Sequence, residues 1–275
     1  MSAKSEEVDD AHDEVCASCG IAAVDDIKLK ICDGGCDLVK YCSDGCQENH
    51  REQHEEKCKK RLAELRDKQI FTQPDISHWG ECPICYLPLP LHPSKSTMMG
   101  CCCKLICKGC YHANKEREIE GGLEHRCAFC REPVPKSQEE AEKQVMERVN
   151  KHDPAAMTHM GKHHDKEGDY GKALEYYTKA AELGDVDAHY CMGCLYNNGK
   201  GVEKDEKKAV YHLEQAAIGG HPYARGLLAF HEMENYRLER AAKHFFIAAN
   251  LGCDTSLNAV KDFFIQGIVS KEGYA

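Results

Sequence analysis

Cysteines at short, regular spacings dominate the first half of the sequence. Sixteen of the nineteen cysteines precede residue 131, and most belong to pairs separated by two or three residues. One tight turn can supply two metal ligands at such a spacing, and four thiolate or imidazole donors complete the tetrahedral coordination of zinc. The pairs divide into two octets, and each octet suffices for two ions. The sequence therefore predicts four bound Zn²⁺ ions.

Each octet has its own predicted ligands. The first consists of seven cysteines and one histidine: Cys16, Cys19, Cys32, Cys36, Cys42, Cys46, His54 and Cys58. The second offers nine cysteines for eight positions: Cys82, Cys85, the adjacent Cys101, Cys102 and Cys103, then Cys107, Cys110, Cys127 and Cys130. Modules this small have little apolar core, so we expect zinc to supply much of their folding free energy, on the order of 10 kcal/mol per ion.

A disulfide framework is the alternative explanation of so many cysteines. It would require an oxidising compartment and usually a secretory signal. The chain begins MSAKSEEVDDAHDEV, which is acidic and has no apolar stretch typical of a signal peptide. No run of about 18 apolar residues occurs, which argues against a membrane span and a membrane partner. We therefore expect reduced, zinc-bound cysteines in an intracellular protein, either cytoplasmic or nuclear.

The net charge argues against nucleic acid as a partner. The formal charge is −10 at pH 7, and a surface of that sign repels phosphates. We therefore expect the partners to be proteins.

A helix must position half of the first octet. Ser43 is a suitable N-cap, and the following segment, DGCQENHREQHEEKC, has strong helical composition. Residues four apart lie on one helix face, so Cys42 pairs with Cys46 and His54 with Cys58. His50 is then expected to be a surface residue. The two sites interleave, with Cys16, Cys19, Cys42 and Cys46 in one, and Cys32, Cys36, His54 and Cys58 in the other.

The first octet resembles the MYND zinc finger. The resemblance is carried by Tyr41-Cys42-x-x-x-Cys46-Gln47 and by His54-x-x-x-Cys58. It implies a protein-interaction module over residues 15–58 that captures short proline-containing peptides. Arg51 stands where the family commonly has tryptophan, which puts peptide capture rather than metal binding in question.

Residues 79–135 resemble a RING finger. The resemblance implies that the first and third ligand pairs, Cys82, Cys85, Cys107 and Cys110, share one ion, while the second and fourth pairs share the other. Counting back from Cys107 places Cys102 correctly but puts Lys104 at the usual histidine position. An ammonium group has no lone pair for a metal, so Cys101 is expected to join Cys102, with Cys103 as the substitute.

The RING resemblance also implies a function. Such fingers commonly act as ubiquitin ligases that hold a ubiquitin-conjugating enzyme and supply no nucleophile, so no catalytic residue is expected here. The matching contact residues are Ile84, Phe129 and Arg131, although Ile84 and Phe129 also suit local packing around zinc. Asn114 and Ala128 depart from the family pattern. A spare cysteine in the triplet could instead serve as a reactive thiol.

Internal repeats begin after residue 152. The segments KAAELG, QAAIGG and AANLG recur at offsets near 32 and 36 residues, a period typical of helix-turn-helix solenoids. The turn at 196–202 and the core at 208–211 resemble a Sel-like repeat, a relative of the tetratricopeptide repeat. The recurring aromatic residues, Tyr176, Tyr177, Tyr211, Phe245 and Phe246, are expected in the core, and Cys191 and Cys194 are expected to be packed structural residues.

These segments predict a mainly α protein: two zinc fingers with small α+β modules, then a C-terminal α-solenoid. A disordered acidic tail (1–14), a helical linker (59–78) and a linker helix (136–152) flank the fingers, and the repeats occupy 153–275. The leading functional hypothesis is a RING-type ubiquitin ligase whose repeats and MYND finger recruit substrate. The alternative is a non-catalytic zinc-finger adaptor. A MYND-linked methyltransferase is disfavoured, because no glycine-rich cofactor loop occurs.

Overall fold

The computed structural model describes residues 15–21, 23 and 28–269, so the predicted acidic tail lies outside the described residues. Within them the chain is mainly helical, with ten helices and two small two-stranded antiparallel sheets. Cysteine clusters occupy the N-terminal part and paired helices the C-terminal part. The predicted fold class is therefore confirmed. Contacts divide the chain into two units, Met1–Ile70 and Phe71–Ala275.

The first unit combines a short sheet with one long helix. Strand β1 (Lys30–Ile31) pairs with β2 (Lys40–Tyr41), and helix α1 spans Asp44–Ile70. As predicted, the Ser43 hydroxyl caps α1, since its oxygen accepts from the Cys46 N–H at 3.2 Å. The predicted helical linker is helical only as far as Ile70. Cysteines and Tyr41 form the buried cluster of this unit, which leaves little apolar core besides the thiols.

The second unit contains a cysteine-rich module, the name used here for residues 79–135. Strand β3 (Ser96–Met99) pairs with β4 (Lys104–Cys107), with Ser96 opposite Cys107, and helix α2 spans Lys108–Glu120. The thiol of Cys107 caps α2 by accepting the N–H of Cys110 at 3.4 Å. Two predicted ligands therefore lie where β4 meets α2: Cys107 ends the strand, and Cys110 lies in the first turn of the helix.

Helix α3 (Gln138–Val149) follows the module and begins as the sequence predicts. The Ser137 hydroxyl accepts from the Glu140 N–H at 3.2 Å. The Glu140 carboxylate accepts in return from the Lys136 N–H at 2.7 Å, one residue before the position that a standard capping box uses.

Seven further helices pack in sequence as helix-turn-helix pairs. Several begin at an aspartate whose side chain caps the first turn, for example Asp153 and Asp185. The helices are α4 (Pro154–Glu167), α5 (Tyr170–Glu182), α6 (Val186–Asn198), α7 (Glu206–Ile218), α8 (Pro222–Glu234), α9 (Leu238–Asn250) and α10 (Asp254–Ile265).

One position in each repeat fills the core between paired helices. The position lies three residues before Ala180 in α5, Ala216 in α7 and Ala248 in α9. It is occupied by Tyr177, Leu213 and Phe245, which are all buried. Tyr211, predicted to share that position, is 52% exposed. It lies two residues before Leu213, and two residues correspond to about 200° around a helix, so its side chain faces away from the core. Tyr176 and Phe246 are half-buried.

The Cys191-x-x-Cys194 pair belongs to the packed repeats, as predicted. Cys191 packs against the cluster around Tyr177 and Met192. Burial raises the pKa of the Cys191 thiol to about 12 and also raises that of Cys194, so both are protonated thiols. At the other end of the array, α10 packs Phe263 into the core and leaves Ile265 82% exposed.

Residues 71–79, here called the strap, lie along the repeats without forming a helix or strand. Arg225 of α8 donates to the Thr72 carbonyl at 3.2 Å, and the His78 N–H donates to the Gly220 carbonyl at 3.1 Å. The His78 ring also bonds Asp187 of α6 at 2.6 Å. The strap therefore ties the start of the cysteine-rich module to the helices of the same unit.

Candidate metal centres and their surroundings

The structure brings together four sets of four donor atoms, and within each set all atoms lie within 4.8 Å of one another. The first set is Cys16, Cys19, Cys42 and Cys46. Its Sγ atoms are 3.5 Å apart for Cys19 and Cys42 and 3.6 Å apart for Cys42 and Cys46. Zinc–sulfur bonds of about 2.3 Å in a tetrahedron place the sulfur atoms roughly 3.8 Å apart. The donors therefore fit the size of a zinc ion.

The second set, Cys32, Cys36, His54 and Cys58, is buried throughout. The Sγ atoms of Cys32 and Cys58 are 3.7 Å apart, and the Cys36 Sγ lies 3.0 Å from the His54 Nε2. Burial lowers the pKa of His54, which favours the neutral ring that binds metals. Both sets draw ligands from α1 and thus interleave as the sequence predicts.

His50 is not the surface residue that the sequence predicts. Its Nδ1 lies 3.0 Å from the Tyr41 hydroxyl, and its ring stacks on His54 with centroids 5.9 Å apart. His50 stands one turn before His54 on α1, so the helix face that carries the ligand leaves His50 half-buried. It supports the orientation of His54 without joining the four donors.

The other two sets lie in the cysteine-rich module. Cys82, Cys85, Cys107 and Cys110 form the third, and Cys101, Cys102, Cys127 and Cys130 form the fourth. Representative Sγ separations are 3.8 Å for Cys85 and Cys107 and 3.9 Å for Cys102 and Cys127. The pairs alternate between the sets, so each set joins segments far apart in sequence. This is the crossed arrangement that the RING resemblance implies.

Cys103 stays outside these sets. It is buried with Val145 and Ala156 beneath α3 and α4. Burial raises the pKa of its thiol to about 11, so the nucleophilic thiolate is disfavoured at neutral pH. The environment of Cys103 therefore favours a packed side chain over a reactive thiol.

Two ligand pairs of the module lie on turns of the same geometry. The Cys82 carbonyl accepts from the Tyr86 N–H at 2.9 Å, and the Cys127 carbonyl accepts from the Arg131 N–H at 3.0 Å. Tyr86 and Arg131 have φ angles of 57° and 66°, in the left-handed region that favours glycine. In the first unit, Gly20 takes the equivalent place after Cys19 with φ 75°. Each turn places its two sulfur atoms in one donor set and exposes the residue just before the second cysteine, namely Ser18, Ile84 or Phe129.

The predicted contact residues Ile84 and Phe129 lie on these two turns. Their side chains are 39% and 44% exposed, so they are not simply packed around the metal sites. Phe129 lines an open cavity of about 540 Å³ together with Trp79 and Pro83. The same cavity is lined by Leu183, Gly184 and Asp185, which connect α5 to α6, and by Val186 and Asp187 at the start of α6.

Arg131, the third predicted contact residue, has two partners on α2. Its Nη1 donates to the Asn114 Oδ1 at 2.9 Å, and its Nη2 lies 3.2 Å from the Glu118 Oε1. The sequence marked Asn114 only as a departure from a family pattern. It gave no signal for Glu118, which lies 13 residues before Arg131. Although burial alone would raise the pKa of Glu118, hydrogen bonds from His125 and the Arg126 N–H lower it below its usual value.

The MYND-like unit has a cleft of its own beside the second metal set. It encloses about 430 Å³ and is lined by Tyr41, Gln47, Arg51 and Lys59, among others. The Gln47 side chain already has a hydrogen-bond partner within the unit, since its Nε2 donates to Asp33 Oδ2 at 2.7 Å. Arg51 gives the cleft a cation where the family commonly has an aromatic ring.

His78, Asp187 and His221 form a further cluster with the composition of a metal site. However, the His221 Nδ1 accepts the Ala224 N–H at 3.2 Å, so in the neutral ring the proton resides on Nε2, which faces Asp187. A protonated nitrogen cannot ligate a metal. Although burial opposes it, hydrogen bonds from His221 and His78 hold the pKa of Asp187 well below its usual value. This cluster is a hydrogen-bonded anchor of the strap.

Comparisons with known proteins support two parts of this architecture. Residues 16–58 match the family model of the MYND finger, and residues 154–185 and 186–221 each match the Sel1 repeat. MYND fingers and Sel1 repeats generally mediate protein–protein interactions. Together with the cysteine and histidine sets, the matches indicate a zinc-binding interaction scaffold. None of the curated proteins matches the chain.

Two solved structures match part of this chain. A Sel1 repeat protein from Oxalobacter formigenes is 22% identical over 57% of this chain and 63% of its own, with a TM-score of 0.45. The protective antigen c5321 of uropathogenic Escherichia coli strains, which displays an SLR fold, is 20% identical over 57% of this chain and 33% of its own, with a TM-score of 0.43. The match thus covers less than two thirds of either protein. In the described part of this chain, no helix has both the length and the apolar character needed to span a bilayer.

Proposed function

We propose that the protein is a RING-type ubiquitin ligase. In this proposal residues 79–135 hold a ubiquitin-conjugating enzyme that carries ubiquitin as a thioester, while the Sel1 repeats and the MYND finger bind substrates or complex partners. The observation that carries the proposal is the exposure of Ile84 and Phe129 on two adjacent metal-binding turns, with Arg131 immediately after the second turn. Apolar side chains displayed on rigid turns are suited to docking a protein.

The proposed reaction needs no nucleophile from this chain. A lysine amine of the substrate attacks the thioester carbonyl, a C–N bond forms, the C–S bond breaks, and the thiol of the conjugating enzyme leaves. Ile84 and Phe129 supply apolar contact with that enzyme. Arg131 is the donor that reaches ubiquitin and its carrier, since a guanidinium offers five N–H groups in a fixed plane. The ligase thus accelerates transfer by positioning the thioester.

Four zinc ions are part of the proposal, one for each donor set. Zinc supplies no chemistry to the transfer in this scheme. It replaces a hydrophobic core by joining segments that are distant in sequence, and it fixes the turns that carry Ile84 and Phe129. The MYND cleft is proposed to take proline-containing peptides, with Arg51 selecting those that place an acidic group beside the proline.

Zinc stoichiometry distinguishes ligands from the spare cysteine. We expect native mass spectrometry to detect four zinc ions per chain, and a Cys102→Ser variant to lose one of them, because an alcohol is a poor zinc ligand. Cys103→Ser, a matched change at the next residue, is expected to retain all four. Loss of an ion from Cys103→Ser but not from Cys102→Ser would reverse the assignment within the triplet.

Thioester discharge tests the ligase proposal directly. The zinc-loaded chain is mixed with a panel of conjugating enzymes carrying ubiquitin, and release to free lysine is followed over time. We expect acceleration with at least one enzyme and a loss of about tenfold in Ile84→Ala, the size of effect expected for one apolar anchor. Ile119→Ala is the control, since Ile119 is an isoleucine 68% exposed on α2 and belongs to neither turn. Acceleration that Ile84→Ala leaves unchanged would contradict the proposal.

A non-catalytic adaptor is the second candidate. It is favoured by Leu183 and its neighbours, which line the same cavity as Phe129, because they restrict the space for a large partner there. An adaptor would show no discharge with any conjugating enzyme while co-purifying with a stable partner. Such a result would select the scaffold function without ligase activity.

A further inference from the structure

We propose that Glu118 is a positioning residue that orients the Arg131 guanidinium for contact with the ubiquitin-loaded partner. This inference rests on the ligase proposal and adds one residue to the proposed contact residues Ile84, Phe129 and Arg131. Glu118 itself touches no partner, because its side chain is only 1% exposed. It acts through Arg131, whose side chain is 47% exposed.

Glu118 is a buried carboxylate held by several donors. Its Oε1 lies 3.2 Å from the Arg131 Nη2, and its Oε2 accepts from the His125 Nδ1 at 2.8 Å and from the Arg126 N–H at 3.2 Å. A buried carboxylate with this many partners has little freedom to move, and its charge is compensated by the cationic guanidinium. It therefore forms a fixed reference point beneath the turn that carries Arg131.

Asn114 fixes the second edge of the same guanidinium. Its Oδ1 accepts from the Arg131 Nη1 at 2.9 Å, while its Nδ2 donates to the Arg126 carbonyl at 3.0 Å. Asn114 and Glu118 are one turn apart on α2, so one helix face holds both terminal nitrogens. Two of the five N–H donors are used in this way, and the others are left for a ligand. The side chain is thus oriented before a partner binds.

The backbone of Arg131 is fixed as well, because its N–H donates to the Cys127 carbonyl at 3.0 Å. With φ at 66° it occupies a conformation in which glycine is strongly preferred. Gly20 follows Cys19 in the equivalent conformation in the first unit. Tyr86 has the same conformation after Cys85, with φ 57°, so the turn itself requires it and thereby fixes where the Arg131 side chain leaves the backbone.

The test uses Glu118→Gln and Asn114→Ala in the zinc-loaded full chain, with Glu124→Gln as the matched control. Glu124 is an exposed acid paired with Arg126 at 2.9 Å and does not contact Arg131. We expect both test variants to lower the maximal discharge rate by about two- to tenfold, the range expected for losing one pre-ordered side chain. The conjugating-enzyme concentration at half-maximal rate is expected to stay unchanged, because Ile84 and Phe129 remain in place.

Two further readouts separate positioning from general folding. In the Arg131→Ala background, Glu118→Gln is expected to cause no additional loss of rate, since the two residues act as one unit. Arginine side-chain relaxation by NMR is expected to show Arg131 ordered in the parent and mobile in both variants. Zinc content is measured for every variant, and Asn114→Ala serves where replacement of the buried Glu118 lowers zinc occupancy.

The outcomes distinguish this inference from the function on which it rests. Parent-like rates in Glu118→Gln and Asn114→Ala, together with a slowed Arg131→Ala, would overturn the positioning role and leave the ligase proposal intact. An unchanged order of Arg131 in both variants would likewise overturn it. Absence of discharge by the parent with every conjugating enzyme would instead overturn the ligase proposal, and this inference with it.

Discussion

Chelation of zinc is expected to unfold the MYND-like unit and the cysteine-rich module while the helical repeats remain folded. The reason is the composition of the two cores, in which the cysteine side chains themselves make up most of the buried cluster around Tyr41 and much of the one around Ile106. Structural zinc contributes on the order of 10 kcal/mol per site, more than such small modules retain without it. Hydrogen–deuterium exchange resolved by peptide measures each segment separately.

The repeats provide the internal control for chelation. Their core around Tyr177 and Phe245 contains no predicted ligand, so the amides of α5 to α9 are expected to stay protected. Chelator already saturated with zinc should cause no change, and added zinc should restore protection. Protection of residues 28–58 that survives exhaustive chelation would contradict zinc-dependent folding, as would disulfide bonds detected by mass in the freshly purified chain.

Gly161→Ala is expected to destabilise the repeats by about 2 kcal/mol, despite the higher helix propensity of alanine. A Cβ at Gly161 would lie 2.5 Å from the Cε1 of Tyr177, and the Tyr177 side chain is fully buried. Neither the ring nor the two packed helices can move apart without opening the core. Thermal unfolding followed by helical circular dichroism, under the same zinc and protein concentrations as the parent, measures the loss.

Gly171→Ala is the matched control for this substitution. Gly171 also lies in a helix, but its added Cβ would meet only the Asp169 Oδ1 at 3.8 Å, an ordinary contact distance. We expect a gain of about 0.5–1 kcal/mol, since alanine lowers the entropy of the unfolded chain. Equal stabilities of Gly161→Ala and Gly171→Ala would show that helix propensity, rather than the close approach of α4 and α5, determines the role of Gly161.

The same close approach explains a pattern across the repeats. Gly161 and Gly193 occupy equivalent positions, and a Cβ at Gly193 would lie 2.8 Å from Leu213. The third equivalent is Ala229, which shares a buried cluster with Phe245. Small residues on one helix therefore face Tyr177, Leu213 and Phe245 on the next, and the repeat spacing in the sequence reflects this packing.

The sequence by itself determined the ligand pairs and the boundaries of the repeats. Ligand pairs such as His54 and Cys58 are close because a single turn of α1 joins them, and repeat boundaries follow from alanine and glycine at a fixed period. These features depend on residues within a few positions of one another, so spacing alone predicts them. For the first octet, the assignment of pairs to common sites also follows from the helix that carries His54 and Cys58. For the second octet, the crossed assignment is implied by the RING resemblance and not by spacing.

Tertiary structure decided the features that depend on contacts between distant segments. Glu118 of α2 meets Arg131 of the last turn across 13 residues, and the Asp187 carboxylate meets His78 across 109 residues. Helix phase decided that Leu213 rather than Tyr211 enters the core. Short-range spacing constrains local turns, whereas the packing of turns from separate segments arises only when the whole chain buries them together.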